Sequence, residues 1–124
     1  MPSHKFQRFK RLLNASDYKE VFDHNRVKVA NSYLLILAKP TKGAQSRLGL
    51  IIAKKNISTA VQRNRVKRVA RETFRQKEFS VVMDIVLLAR TGANRLSNEQ
   101  LTQALNTAWS HLDARSQQQR VKHA

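Results

Sequence analysis

Between Val61 and Arg75 six of fifteen residues are cationic (Arg63, Arg65, Lys67, Arg68, Arg71 and Arg75), and Glu72 is the one acid. At helical spacing the stretch divides in two. Val66, Val69, Ala70, Thr73 and Phe74 form an apolar stripe. Asn64, Lys67, Arg68, Arg71 and Arg75 form the opposite one, with Arg63 and Arg65 at its margins. A solvated helix face usually interleaves both signs, because opposite charges four residues apart support the helix. This one stacks like charges, which raises the electrostatic energy of the folded chain unless a polyanion lies against it. Guanidinium groups also suit bidentate recognition of phosphate. The chemistry implied is phosphate contact, which positions a nucleic acid without reading its sequence.

Tyr18 and Phe22 stand four apart on a short helical stretch and share one face. Two readings are open: packing in the core, or a stacking platform for unpaired bases. Tyr33, on the following extended segment, is a weaker candidate for stacking.

Signals for catalysis by the chain itself are poor. His4, His24, His111 and His123 are scattered, without metal-ligand spacing. Asp17, Glu20 and Asp23 read as a first-turn and surface pattern, and Asp84 as a turn or hydrogen-bonding residue. No phosphate-binding glycine loop, nucleophile elbow or H-E-x-x-H pattern occurs. No catalytic and no metal-binding residue is therefore assigned.

The 124 residues suit one domain, and 41% apolar residues suffice for a modest core. The formal charge of +16, from 24 Lys and Arg against 8 Asp and Glu, points to nucleic acid first and anionic membrane second. With no cysteine, disulfides and thiolate metal sites are excluded, which is compatible with a reducing cytoplasm. The longest apolar runs, Tyr33 to Ala38 and Ile85 to Ala89, are strand-sized and too short to span a bilayer. The N-terminus has no signal-peptide run. A soluble, cytoplasmic protein is expected.

The elements that must carry these residues follow from pattern. Residues 1–13 are basic, with interspersed Phe6, Phe9, Leu12 and Leu13, and read as an irregular arm. A helix opens at Asn14-Ala15-Ser16-Asp17, with Ser16 as the capping side chain. Residues 27–38 are β-rich with a kink near Asn31; one strand or two remains open, with three strands before the basic helix preferred. Leu48 to Ala53 is a further strand. Thr59-x-x-Gln62 has capping-box spacing and starts the basic helix over about 60–78. Residues 84–89, nearly continuously apolar, predict a strand covered on both faces. Ser97-x-x-Gln100 opens a last helix with Leu101, Leu105, Ala108 and Leu112 on its stripe. Residues 1–115 then form a single domain, and 116–124 a polar, disordered tail. The fold class is an α/β (α+β) sandwich.

Around Ala53-Lys54-Lys55-Asn56 and Arg63-Asn64-Arg65-Val66-Lys67-Arg68, the sequence closely resembles the bacterial ribonuclease P protein subunit family, which carries an Arg-Asn-Arg motif on a helix after a strand ending in Lys-Lys. Arg11-Leu12, Asp17-Tyr18 and Val21-Phe22 resemble its first helix. Val29-Ala30-Asn31, Arg47-Leu48-Gly49-Leu50 and the run Asp84 to Arg90 resemble its strands. The resemblance spans about residues 8–112.

It implies the order α-β-β-β-α-β-α around one four-stranded mixed sheet, akin to a ribosomal-protein domain, with a left-handed crossover at the basic helix. It also implies a function: assisting removal of the 5′ leader from precursor tRNA. In the family a catalytic RNA subunit with bound Mg²⁺ performs the hydrolysis, so the protein serves the endonuclease without cutting. By matching positions, Lys54, Lys55, Arg63, Asn64, Arg65, Lys67, Arg68 and Arg71 would bind RNA. Tyr18, Phe22, Tyr33 and Arg11 would line the leader cleft. Where some members carry a further aromatic late in the first strand, this chain has Leu35-Ile36-Leu37. The expected partners are one RNA subunit per protein and precursor tRNA, with no membrane and no obligate protein partner. The alternative is a ribosomal-protein-like, general RNA-binding module without a role in cleavage.

Overall fold

The computed structural model describes residues 14–122, with the backbone course alone for residues 120–122. The basic arm expected over residues 1–13, Arg11 included, lies outside the described residues. The elements in order are α1 (Ala15–His24), β1 (Val27–Ala30), β2 (Leu34–Pro40), β3 (Arg47–Ile51), α2 (Ala60–Gln76), β4 (Met83–Ala89), a 3₁₀ turn (Ala93–Arg95) and α3 (Asn98–Lys122). The β-rich segment 27–38 is two strands. Asn31 separates them because its side-chain oxygen accepts from the backbone N–H groups of Tyr33 and Leu34, both at 2.8 Å, which fixes a tight turn.

The sheet runs β1-β2-β4-β3. β2 is antiparallel to both β1 and β4, while β3 is parallel to β4, so the sheet is mixed. Strand alternation assigns its two faces. Val27, Val29, Leu34, Ile36, Ala38, Leu48, Ile85, Leu87 and Ala89 form one core with Val66, Val69, Ala70 and Phe74 of α2 and the Leu101–Leu105–Trp109–Leu112 stripe of α3. The other face, through Leu37, Val86, Leu88 and Ile51, packs on Tyr18 and Val21 of α1. β4 lies between both layers, which explains its continuous apolar run; Ile85, Val86 and Leu87 are all fully buried.

Capping chemistry sets the helix starts. Asn14, not Ser16, caps α1: its side chain accepts from Asp17 N at 2.9 Å, and Ser16 lies within the first turn. At α3 the Ser97/Gln100 box closes in both directions, at 2.9 and 3.1 Å. At α2 only half of the box forms. Thr59 accepts from Gln62 N, whereas the Gln62 side chain accepts from Arg65.

The disordered tail expected from residue 116 is corrected: α3 continues to Lys122. Ser116 occupies the stripe position after Leu112 and is 1% exposed. Its hydroxyl donates to the Asp113 carbonyl at 2.7 Å, so burial leaves no polar atom unmatched. A serine at that position erased the apolar signature without ending the helix. Asp113 and Gln117 also hold Ser80 in the loop before β4, and Arg115 donates to the Lys28 carbonyl on the edge strand β1.

Candidate nucleic-acid interface

α2 docks by burying Val66, Val69, Ala70, Thr73 and Phe74, which turns the opposite stripe outward. Asn64, Arg68 and Arg71 are exposed and Lys67 is half-buried. Lys54 and Lys55 are exposed on the turn that joins β3 to α2. That turn is held by Asn56, whose amide donates to the Ala89 carbonyl at 3.1 Å and whose oxygen accepts from Thr91. Among the described residues, no carboxylate pairs with Lys54, Lys55, Lys67 or Arg68. Uncompensated cations of this density lower their repulsion by meeting a polyanion.

The two arginines of the Arg-Asn-Arg motif are placed differently. Arg65 donates to Gln62 Oε1 (2.9 Å), Asn98 Oδ1 (2.8 Å) and the carbonyls of Asn94 (2.8 Å) and Leu96 (3.0 Å). It ties α2 to the start of α3. Arg63 donates to the carbonyls of Ile57 and Ser58, at 3.0 and 2.9 Å, and so shapes the loop that follows the two lysines. Of the motif, Asn64 is the exposed residue, and its side chain has no partner among the described residues.

α1 crosses the other face of the sheet at one end. Its first turn is held to β3 and β4 by Arg47, which donates to Asp84 at 2.9 and 2.7 Å and to Asp17 at 3.4 Å. The hydrogen bonds to Asp84 hold the Arg47 guanidinium pKa above its ordinary value, against opposing desolvation. Glu20 reaches Lys39 of β2 at 2.9 Å, and Arg26, just past the helix, donates from its backbone N–H to the Ala38 carbonyl. α1 therefore spans from β3 toward β1, and among the described residues no element covers the far half of this face.

The open half has an apolar floor. Ala30, Leu35, Leu88 and Ile51 are successive partners across all four strands. Ala30 is exposed and the other three are half-buried. One wall is α1. Phe22 is 41% exposed, whereas Tyr18 is half-buried, its hydroxyl accepting from Leu50 N at 3.2 Å. On the far side the backbone N–H of Arg90 donates to the Tyr33 carbonyl at 2.8 Å, and Tyr33 is 36% exposed. Alternation from Leu35 and Leu88 puts both side chains at the border of the floor. Arg90 is a site residue that motif reasoning missed; the signal was a cation two positions beyond a floor residue. Leu35 stands on the floor itself.

The described acids are engaged one by one rather than gathered at one point. Asp17 and Asp84 engage Arg47, Glu20 engages Lys39, Asp23 engages Lys19, Glu72 engages Arg75, and Asp113 holds Ser80. Among the described residues no group of three His, Asp or Glu side chains could hold a metal ion. The described carboxylates are spread over separate ion pairs and hydrogen bonds and do not converge on a site for Mg²⁺. Nor is any described helix long and apolar enough to cross a membrane.

A mixed sheet with a cation-faced helix on one side and a half-open apolar floor on the other defines a basic α/β protein built to face a polyanion. The Ribonuclease P family pattern matches residues 6–113. The chain belongs to the Ribonuclease P family. It is 43% identical over 113 residues to the ribonuclease P protein component of Pseudomonas paraeruginosa, covering 90% of this chain and 84% of that protein. To the protein component of Azotobacter vinelandii it is 42% identical, covering 100% and 95%. The fold is similar to that of the Staphylococcus aureus RNase P protein, with TM-score 0.75, 27% identity and coverage of 82% and 93%. It is also similar to the RNase P protein of Thermotoga maritima in complex with 1-(4-fluorophenyl)-2-thiourea, with TM-score 0.65, 27% identity and coverage of 77% and 97%. Membership makes the chain a protein component of the ribonuclease P ribonucleoprotein, in tRNA processing, and implies an RNA partner.

Proposed function

We propose that the chain assists removal of the 5′ leader from precursor tRNA by gripping two RNAs on two surfaces. Lys54, Lys55, Asn64, Lys67, Arg68 and Arg71 meet the phosphates of the catalytic RNA subunit, one protein per RNA. The single-stranded leader lies on the floor of Leu35, Leu88 and Ile51, between Phe22 and Tyr18 on one side and Tyr33 and Arg90 on the other. The RNA subunit, with its own Mg²⁺, carries out phosphodiester hydrolysis. Arg63 and Arg65 act from within, by fixing the loop and the helix that present the cations.

The observation that supports this most is the pairing of the α2 cations that lack carboxylate partners with an apolar floor left half-exposed beside Phe22. Phosphates repel each other when two RNAs approach, and a protein of charge +16 lowers that repulsion. An apolar floor edged by aromatics holds unpaired bases with little regard to sequence.

The test is reconstitution of the purified chain with a bacterial ribonuclease P RNA at low Mg²⁺. Stimulated cleavage at the mature 5′ end is expected, with the protein alone inactive. Binding to that RNA without any stimulation would instead support a general RNA-binding module, and cleavage by RNA-free protein would overturn the division of labour.

A further inference from the structure

A second cationic concavity lies at the opposite edge of the sheet from Lys54 and Lys55. Arg26, Lys28 and Arg115 line a recess of about 280 Å³ with Val27, Gln118 and Gln119. It contains three cations and no acid. Arg115 comes from α3, and its guanidinium donates to the Lys28 carbonyl, an acceptor left open by the edge position of β1. That bond brings a helix-borne charge beside Lys28 on β1 and Arg26 just before it. Arg26 and Lys28 are exposed, and neither side chain has an ion-pair partner among the described residues. Through Arg26 and Gln119 the recess joins a larger cavity of about 410 Å³, walled by Pro40, Val81 and Val82. A polyanion site next to an apolar pocket has the chemistry of a nucleotide: phosphate on the cations, base against the aliphatic wall.

The floor beside α1 leads to this place. Its row of Ile51, Leu88, Leu35 and Ala30 ends at β1, and Lys28 lies two residues from Ala30 on the same face by alternation. The α2 surface and Lys54/Lys55 lie toward the β3 edge. In the groove reading above, a leader with its mature end at the β3 edge, beside the surface assigned to the RNA subunit, leaves the floor over β1. The row spans about 14 Å, from three inter-strand spacings of about 4.8 Å. Beyond the first few nucleotides a leader therefore lies on β1 or past it.

We propose that Arg26, Lys28 and Arg115 form a phosphodiester-binding extension of the leader groove, which holds the distal nucleotides of long leaders. This rests on the groove reading above, and leader length separates the two. The experiment measures affinity of the full chain, assembled with a ribonuclease P RNA, for precursor tRNAs with leaders of about 4 and about 12 nucleotides, within the range of single-strand site sizes. Arg26→Gln/Lys28→Gln is the variant, since both residues are exposed; unchanged thermal melting confirms its fold.

For the long leader the variant should bind roughly 5–10-fold more weakly, with a salt slope shallower by about 1.4, from two single-strand contacts at about 0.7 each. For the short leader it should match the unsubstituted protein within about twofold. A 4-thiouridine placed near the 5′ end of the long leader should cross-link to residues 26–29 or 80–82. Equal binding of the variant at both lengths, without such cross-links, overturns the extension while leaving the groove intact. A loss of self-association in the variant, with RNA binding unchanged, would assign the surface to protein contact and also overturn it. Failure of the groove itself looks different: Phe22→Ala would then leave both leaders unaffected.

Discussion

The ring of Tyr18 lies over Gly49 so closely that a Cβ on that glycine would come within 2.6 Å of Cε1 and 2.8 Å of the hydroxyl oxygen. The same hydroxyl accepts from Leu50 N, a donor on the edge strand β3 that has no neighbouring strand on that side. Glycine at position 49 thus sets how near the wall of the groove stands to its floor. Tyr18 is more a fastening than an exposed platform, and Phe22 is the aromatic left open.

Gly49→Ala should therefore push Tyr18 away and lift α1. Overpacking of this kind costs about 1–3 kcal/mol. Tyr18→Phe keeps the ring in place and loses one hydrogen bond, at about 0.5–1.5 kcal/mol. Thermal melts read both costs. Discrimination between leader-bearing and mature tRNA should fall for Gly49→Ala and persist for Tyr18→Phe. Equal retention by both variants would show that the spacing does not matter to the groove.

Arg65 and Arg68 sit three apart on α2 and should behave oppositely. Arg65→Ala removes four hydrogen bonds, to Gln62 of α2, Asn94 of the 3₁₀ turn, Leu96 just after it and Asn98 of α3. It should lower stability by about 2–3 kcal/mol, as for charged hydrogen bonds. Arg68→Ala should change stability by less than about 0.5 kcal/mol. Its affinity for the RNA subunit should fall about tenfold, with a log–log salt slope shallower by roughly 1. Melting curves and filter binding across a salt series check both. A stable Arg65→Ala protein with a binding defect equal to that of Arg68→Ala would place Arg65 on the RNA instead.

The contrast shows what pattern carries and where it stops. The two-sided spacing of α2 and the unbroken apolar run of β4 are direct products of burial, so periodicity alone reveals them. Ser97 and Gln100 announced α3 because capping is a local interaction. The carbonyls that occupy Arg65 lie 29 and 31 residues away, and no spacing within α2 reports them. The groove floor was hidden for the same reason. Ala30, Leu35, Leu88 and Ile51 belong to four strands, and only register brings them into line. The end of α3 escapes periodicity because Ser116 is buried with its hydroxyl matched by a local bond rather than through apolarity.

Thr73 and Trp109 couple α2 to α3 at the centre of the core. The indole N–H donates to Thr73 Oγ1 at 2.9 Å, and that hydroxyl reaches the carbonyls of Val69 and Ala70 at 3.0 and 3.1 Å. Trp109 is fully buried, with its ring edge-on to those of Phe74 and Phe79. Thr73→Val keeps the shape but strands a buried indole donor, at a cost of about 1–3 kcal/mol. Thr73→Ser keeps the bond and should recover most of that loss. Chemical denaturation followed by Trp109 fluorescence measures both, and indistinguishable valine and serine variants would remove the hydrogen bond from the account.

Acid should loosen α1 through Glu20. The hydrogen bond from Lys39 holds the Glu20 carboxyl below its ordinary value of 4.5, outweighing the desolvation that would raise it. A folded pKa below the unfolded one means the contribution to stability is complete above the unfolded value. It fades as pH falls from about 4.5 through the folded pKa. Asp23, lowered by its hydrogen bond from Lys19, follows the same sign, but that pair lies within α1 and does not reach the sheet. Glu20 alone of the two joins helix to strand, at β2. Hydrogen exchange of the α1 amides should therefore accelerate as pH falls below about 4.5, before that of β4, once the intrinsic pH dependence is subtracted. In Glu20→Gln the α1 amides should exchange faster already at neutral pH, with a smaller further change on acidification. An unchanged acid response in that variant would shift the cause to the other α1 fastenings, Asp17 with Arg47 and Tyr18 with Leu50.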